Sequence, residues 1–141
     1  MKKPIVLLTL TLLLCFILPV STQAMTTQQY VNHRWRATVR KQLKLQHIWS
    51  REKERRILNI ICHESSGHPG ARNGSCVGLL QFNNGWRHNY SKHWFKKHHL
   101  TGKYHRDNRR NGSWSIYRIV RVYKVGGTRA VQRHWHSTYW R

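Results

Sequence analysis

Hydrophobic and polar positions divide the chain into one apolar run at its start and several amphipathic stretches after it. From Ile5 to Val20 almost every residue is apolar, broken by Thr9, Thr11 and Pro19. Residues 26–47 predict one helix. Tyr30, Trp35, Val39 and Leu43 fall near one face, Thr26 or Thr27 can cap it, and its other face is basic. Residues 50–64 predict a second helix more clearly. Ser50 is its candidate N-cap, and Glu52 and Glu54 lie in the first turns, where the helix dipole favours negative charge. Ile57, Leu58, Ile60 and Ile61 supply its apolar side. This helix must end near Glu64, because Ser65 to Gly70 is turn chemistry. The compact apolar segment Val77 to Phe82 reads as a short helix. Residues 86–112 are rich in Trp, His and Lys with weak periodicity, and no element is assigned there. Residues 113–125 predict a helix capped by Ser113 or Ser115, with Ile116, Ile119, Val120 and Tyr123 on one face. Gly126-Gly127 should end it, leaving Thr128 to about His136 as a last short helix with Ala130, Val131 and Trp135 inward. Strand signals are scarce, so the expected fold is mainly α.

The apolar run changes meaning once its flanks are read. Lys2 and Lys3 precede it and Ser21-Thr22-Gln23-Ala24 follows it, the pattern of a secretory signal cut after Ala24. Residues 1–24 are therefore expected to be a signal peptide, 25–48 a basic N-terminal helix and 49–141 the main domain. Cys15 lies inside the run and would leave with it. The expected location is secreted, in the cell wall or periplasm, with no membrane span after cleavage and a monomer as product.

Composition narrows the partners. Among 141 residues there are 26 Lys or Arg, 4 Asp or Glu and 11 His, a formal charge of +22. Such a charge points to an anionic partner: nucleic acid, membrane or cell-wall polymer. The many aromatics argue against a disordered basic tail. No nucleic-acid module is recognisable, and export argues against that role, so specific nucleic-acid binding is not expected. Wall glycans carry peptide carboxylates and often phosphate-rich teichoic acids, which fit the charge. The histidines give no metal-ligand spacing: His98-His99 are adjacent and His134 and His136 two apart, so neither a metal nor another cofactor is expected. Trp86, Tyr90, Trp94, Trp114 and Trp135 are read first as packing residues. Cys62 and Cys76, in an exported chain, suggest a disulfide. Closing that loop would stabilise by about 3 kcal/mol.

Glu64 stands out on physical grounds. At a helix's C-terminal end the dipole disfavours a carboxylate, and partial burial disfavours it too. Both keep the group protonated, as a general acid requires. Neighbouring His63 and His68 act in the opposite sense when charged.

His63-Glu64-Ser65-Ser66-Gly67-His68-Pro69, followed by Gly78-Leu79-Leu80-Gln81-Phe82-Asn83, resembles the Glu-Ser and Gly-Leu-x-Gln motifs of the soluble lytic transglycosylases, the goose-type lysozyme-like group that cleaves peptidoglycan. Tyr123-Lys124-Val125-Gly126 looks like that family's Ala-Tyr-Asn-x-Gly motif, with Val122 in place of Ala and Lys124 in place of Asn. The resemblance spans roughly residues 45–136. It implies a small lysozyme-like fold and cleavage of the β-1,4 bond between N-acetylmuramic acid and N-acetylglucosamine. It also implies that Glu64 is the catalytic acid/base and that Gln81 lines the glycan groove. Tyr123 would face the reaction centre, Ser65 would set the loop beside Glu64, and Asn73 would contact the sugar.

The acid count favours the same chemistry. Glycoside hydrolysis commonly uses two carboxylates roughly 5–9 Å apart. Glu52 and Glu54 lie about 15–18 Å from Glu64 along the same helix, leaving Asp107 as the other candidate. Non-hydrolytic cleavage to a 1,6-anhydro sugar needs one carboxyl group. The expected activity is thus a lytic transglycosylase. A lysozyme-type hydrolase and a non-catalytic cationic wall-binding or antibacterial protein on the same scaffold are the alternatives.

Overall fold

The computed structural model describes residues 24–83 and 107–135, with Lys97 singly between them. The apolar run, Cys15, Trp86, Tyr90, Trp94, His98-His99 and His136 lie outside the described residues. Three helices and one small hairpin make up the rest, in the order α1 (Thr27–Leu45), α2 (Arg51–Ser65), β1 (Arg72–Asn73), β2 (Cys76–Val77) and α3 (Gly112–Gln132). The described part is mainly helical. Among the described residues no helix is long and apolar enough to cross a membrane.

Local chemistry sets the helix boundaries. Thr26 caps α1 and forms a reciprocal box with Gln29: its hydroxyl accepts from the Gln29 N–H at 3.2 Å, and Gln29 Oε1 accepts from the Thr26 N–H at 2.8 Å. Ser50 caps α2 by accepting from the Lys53 N–H. That helix stops at Ser66 and Gly67, whose φ angles of 51° and 83° are left-handed. The cap of α3 is Asn111, whose Oδ1 accepts from the Trp114 N–H at 3.0 Å, and neither Ser113 nor Ser115 takes that place. Asn111 is already extended there, and Ser115 turns its hydroxyl back to the Arg109 carbonyl. Within α3 the helical path breaks at Gly127 (φ 65°, ψ −169°), the break expected at Gly126-Gly127.

The helices share one core. Val31, Trp35, Val39 and Leu43 of α1 pack with Ile57, Leu58, Ile60 and Ile61 of α2 and Ile116, Ile119, Val120 and Val122 of α3. Arg40 meets Glu54 and Trp35 meets Gly67, so α1 and α2 run antiparallel. Glu54 fastens the pair near its closed end. Its carboxylate accepts from Arg40 Nε and Nη2 and from Trp49 Nε1, all at 2.8 Å, with Arg36 at 3.6 Å. The Arg40 fork is the largest cause holding this carboxyl below its ordinary range, and burial works against it.

The segment Val77 to Phe82 is not a helix. Val77 belongs to β2, and the chain then turns back so that the Val77 N–H donates to the Phe82 carbonyl. Left-handed φ angles at Gly78 (92°) and Gln81 (49°) make this turn and exclude a helix. The apolar content reflects burial of Leu79, Leu80 and Phe82 from all sides. The expected Cys62–Cys76 bridge is also absent. Both cysteines are free, half-buried thiols. Cys62 packs against the core, where burial pushes its pKa up, and Cys76 sits in the hairpin paired with Asn73.

Candidate active site

Glu64 is the penultimate residue of α2 and is half-buried. The residues around it are held by contacts from all three helices. Ser65, 9% exposed, places its hydroxyl 2.9 Å from the Leu79 carbonyl and 3.1 Å from the Ile61 carbonyl. The Glu-Ser corner and the Gly-Leu-Leu-Gln turn are thereby clamped together across 14 residues. From α1, Trp35 Nε1 donates to the Gly67 carbonyl at 2.8 Å, and Tyr30 stacks with His68 at 5.5 Å between centroids. From the end of α3, Trp135 Nε1 donates to the Leu80 carbonyl at 3.1 Å. Phe82 meets Trp114 and Trp135 edge-on, each at 5.7 Å.

The turn itself is braced from within and from the segment before α3. Gln81 is only 5% exposed, and its Nε2 donates to the Ala71 and Gly78 carbonyls at 3.1 and 2.9 Å. The expected groove-lining residue is therefore a brace of the turn. Gly78 comes so close to the Arg109 carbonyl that a Cβ would lie 1.8 Å from that oxygen. Arg109 Nη1 donates to the Phe82 and Ser75 carbonyls, and Asp107 orients it through Nε at 3.0 Å. Between the hairpin and this segment lies a cleft of about 550 Å³, lined in part by Arg72, Ser75, Asp107 and Arg110.

The remaining expected site residues fall in different surroundings. Asn73 is exposed on β1, opposite Cys76. Tyr123 is 3% exposed. The charged groups acting on its hydroxyl are Arg56 and Glu52, in the first half of α2. Burial pushes its pKa up to about 12, with Arg56 working against that rise. Arg56 lies eight residues before Glu64, about 12 Å along the axis. Lys124 is exposed. Among the described residues no group of three His, Cys, Asp or Glu side chains is placed to hold a metal.

No protein-family model, curated protein or solved structure matches this chain.

Sequence reasoning missed Arg109 and the depth of Gln81. The signal for Arg109 was indirect: an apolar turn containing Gly78 implies close approach by another backbone, without saying which.

Proposed function

We propose that the chain is an exported peptidoglycan lytic transglycosylase of lysozyme-like fold with Glu64 as its single acid/base. The observation that carries the reading is the Ser65–Leu79 contact. It joins the two segments whose resemblance to the transglycosylase motifs suggested the activity, one residue after Glu64 in the chain.

The chemistry follows from one carboxyl group. Protonated Glu64 gives its proton to the glycosidic oxygen as the C1–O bond breaks. The carboxylate so formed takes the proton of the muramic 6-hydroxyl, whose oxygen closes onto C1. The product is a 1,6-anhydromuramic end, no water is consumed, and Glu64 is again protonated. Muropeptides released from purified peptidoglycan should carry that end by mass spectrometry, and Glu64→Gln should release none. Reducing muramic ends would instead mean hydrolysis, with Asp107 the next residue to test.

One observation favours the non-catalytic reading. Tyr123, expected to face the reaction centre, is buried, and the charged groups acting on its hydroxyl are Arg56 and Glu52 in the first half of α2. A folded chain that binds peptidoglycan yet releases nothing would select it.

A further inference from the structure

The outward side of α1 has no part in the chemistry proposed for Glu64. Between Thr27 and Leu45 the helix carries no acid, and His33, Arg34, Arg36, Arg40, Lys41 and Lys44 are all exposed. Arg36, Arg40 and Lys44 follow one another at four-residue steps, about 6 Å apart along the axis. Lys41 lies alongside this row. Ala37, with only a methyl group, leaves a gap between the two sides. The result is a trough of about 570 Å³ lined by Ala37, Arg40, Lys41, Lys44, Leu45 and His47. Its lining joins the apolar Ala37 and Leu45 with Arg40, Lys41, Lys44 and His47.

We propose that this trough binds a linear phosphodiester polymer with a polyol or sugar backbone, laid along α1. Charge complementarity is the first argument: α1 carries no acid, and the one Glu54 carboxylate of α2 offsets only part of the charge of Arg36 and Arg40, so with Lys41 and Lys44 the face stays net cationic towards a row of anions. The trough is the second, because carbon stems suit the carbon backbone between phosphates. The aromatic nearby speaks against a nucleic acid. Trp49 is held by its Nε1 bond to Glu54, and a base stacking on it would compete with Arg40 and Lys44, set 6.0 and 5.5 Å from its ring centre. A bilayer is disfavoured by the scarcity of insertable surface, since Leu45 is the one strongly exposed large apolar side chain in the lining. The trough lies at the opposite end of the α1–α2 pair from Glu64. Arg51 to Glu64 spans about 20 Å, so binding here leaves that end clear, and the inference does not depend on the activity proposed for it.

The test is titration calorimetry of the mature chain with synthetic poly(glycerol phosphate) of about ten units, at several salt concentrations. Poly-glutamate, single-stranded oligonucleotide and phosphatidylglycerol vesicles are the comparison probes. Lys41 makes no ion pair among the described residues and Lys44 only its contact with Trp49. Lys41→Gln/Lys44→Gln should therefore fold normally. It should weaken binding about tenfold and reduce the slope of log K against log salt by roughly 1.4, at about 0.7 per phosphate contact. Ala37→Leu fills the trough without changing charge and should weaken binding at least as much. Arg129→Gln/Arg133→Gln, an exposed pair at the end of α3, is the charge control. The proposal is overturned if that control weakens binding as much as the α1 pair, or if Ala37→Leu binds normally. Tighter binding to any comparison probe overturns it too.

Discussion

Replacing Ser65 by alanine removes one hydroxyl from the join between Glu64 and the Gly78–Gln81 turn. The proton is shared between the Leu79 carbonyl at 2.9 Å and the Ile61 carbonyl at 3.1 Å, and the shorter contact crosses between segments. Ser65 and Leu79 are both buried, so water cannot replace the lost donor. A buried carbonyl left without its partner costs about 1–3 kcal/mol. Alanine's better helix propensity returns about 0.5 kcal/mol, at a terminal position where it counts least. The expected net loss is about 1–2 kcal/mol, measured as a lower urea midpoint with an unchanged m-value. If the join also positions the groove, kcat/KM for peptidoglycan falls while the anhydro product stays the same. An unchanged midpoint would show that the two segments are held by packing alone, and the hydroxyl would lose its role.

Two further substitutions and one labelling experiment probe other positions. Gly78→Ala places a Cβ 1.8 Å from the Arg109 carbonyl at a φ of 92°; it should cost roughly 3 kcal/mol or more, seen as a collapse of the thermal midpoint. Glu54→Gln should cost about 1–2 kcal/mol at pH 7, discounted because Arg36 and Arg40 are half exposed. Because the folded-state pKa of Glu54 is depressed, its contribution is present above the unfolded value near 4.3 and lost as pH falls through the folded one. The gap between wild type and variant should therefore close in urea titrations run towards pH 3. Burial raises the Cys62 pKa, so its alkylation by iodoacetamide at pH 7.5 should run well behind that of a free cysteine peptide.

The helices were legible because their signals are local. Thr26, Ser50 and the Gly126-Gly127 pair sit where a cap or a break has a sequence signature, and the apolar faces repeat at helical spacing. The Val77–Phe82 turn was not legible in the same way. Six apolar-rich residues are too few to show a period, and burial on every side looks alike in a turn or a short helix. Long-range arginine contacts were invisible for a different reason. Arg118 is fully buried on α3, with its guanidinium 4.2 Å from the Trp114 ring centre. Burial pulls its pKa down to about 9, while Asp107 works against that fall. Nothing in the order of residues separates it, or Arg109, from the two dozen other basic side chains. At the site, Glu64 and Ser65 could be picked out because they end a helix at a glycine loop. The inward turn of Gln81 depends on a left-handed backbone angle that its identity does not announce.

A chain with so few acids reveals something by where it keeps them. Were their task only to offset charge, a surface position anywhere would serve. Glu54 is instead buried between α1 and α2, and Asp107 orients the arginine that braces the hairpin turn. These two acids do structural work at joins, and Glu52 supports its own helix through Arg56. Glu64 is set apart by its position, as the penultimate residue of α2. It stands at the dipole's negative end and is half withdrawn from water. The contrast separates the two kinds of acid by experiment. Glu54→Gln should lower stability, with activity falling only as far as the folded population does. Glu64→Gln, nearly isosteric, should leave the unfolding midpoint close to wild type and remove glycan cleavage. If the two variants instead lost stability alike, Glu64 would be one more structural acid, and the case for a single-carboxylate enzyme would fail with it.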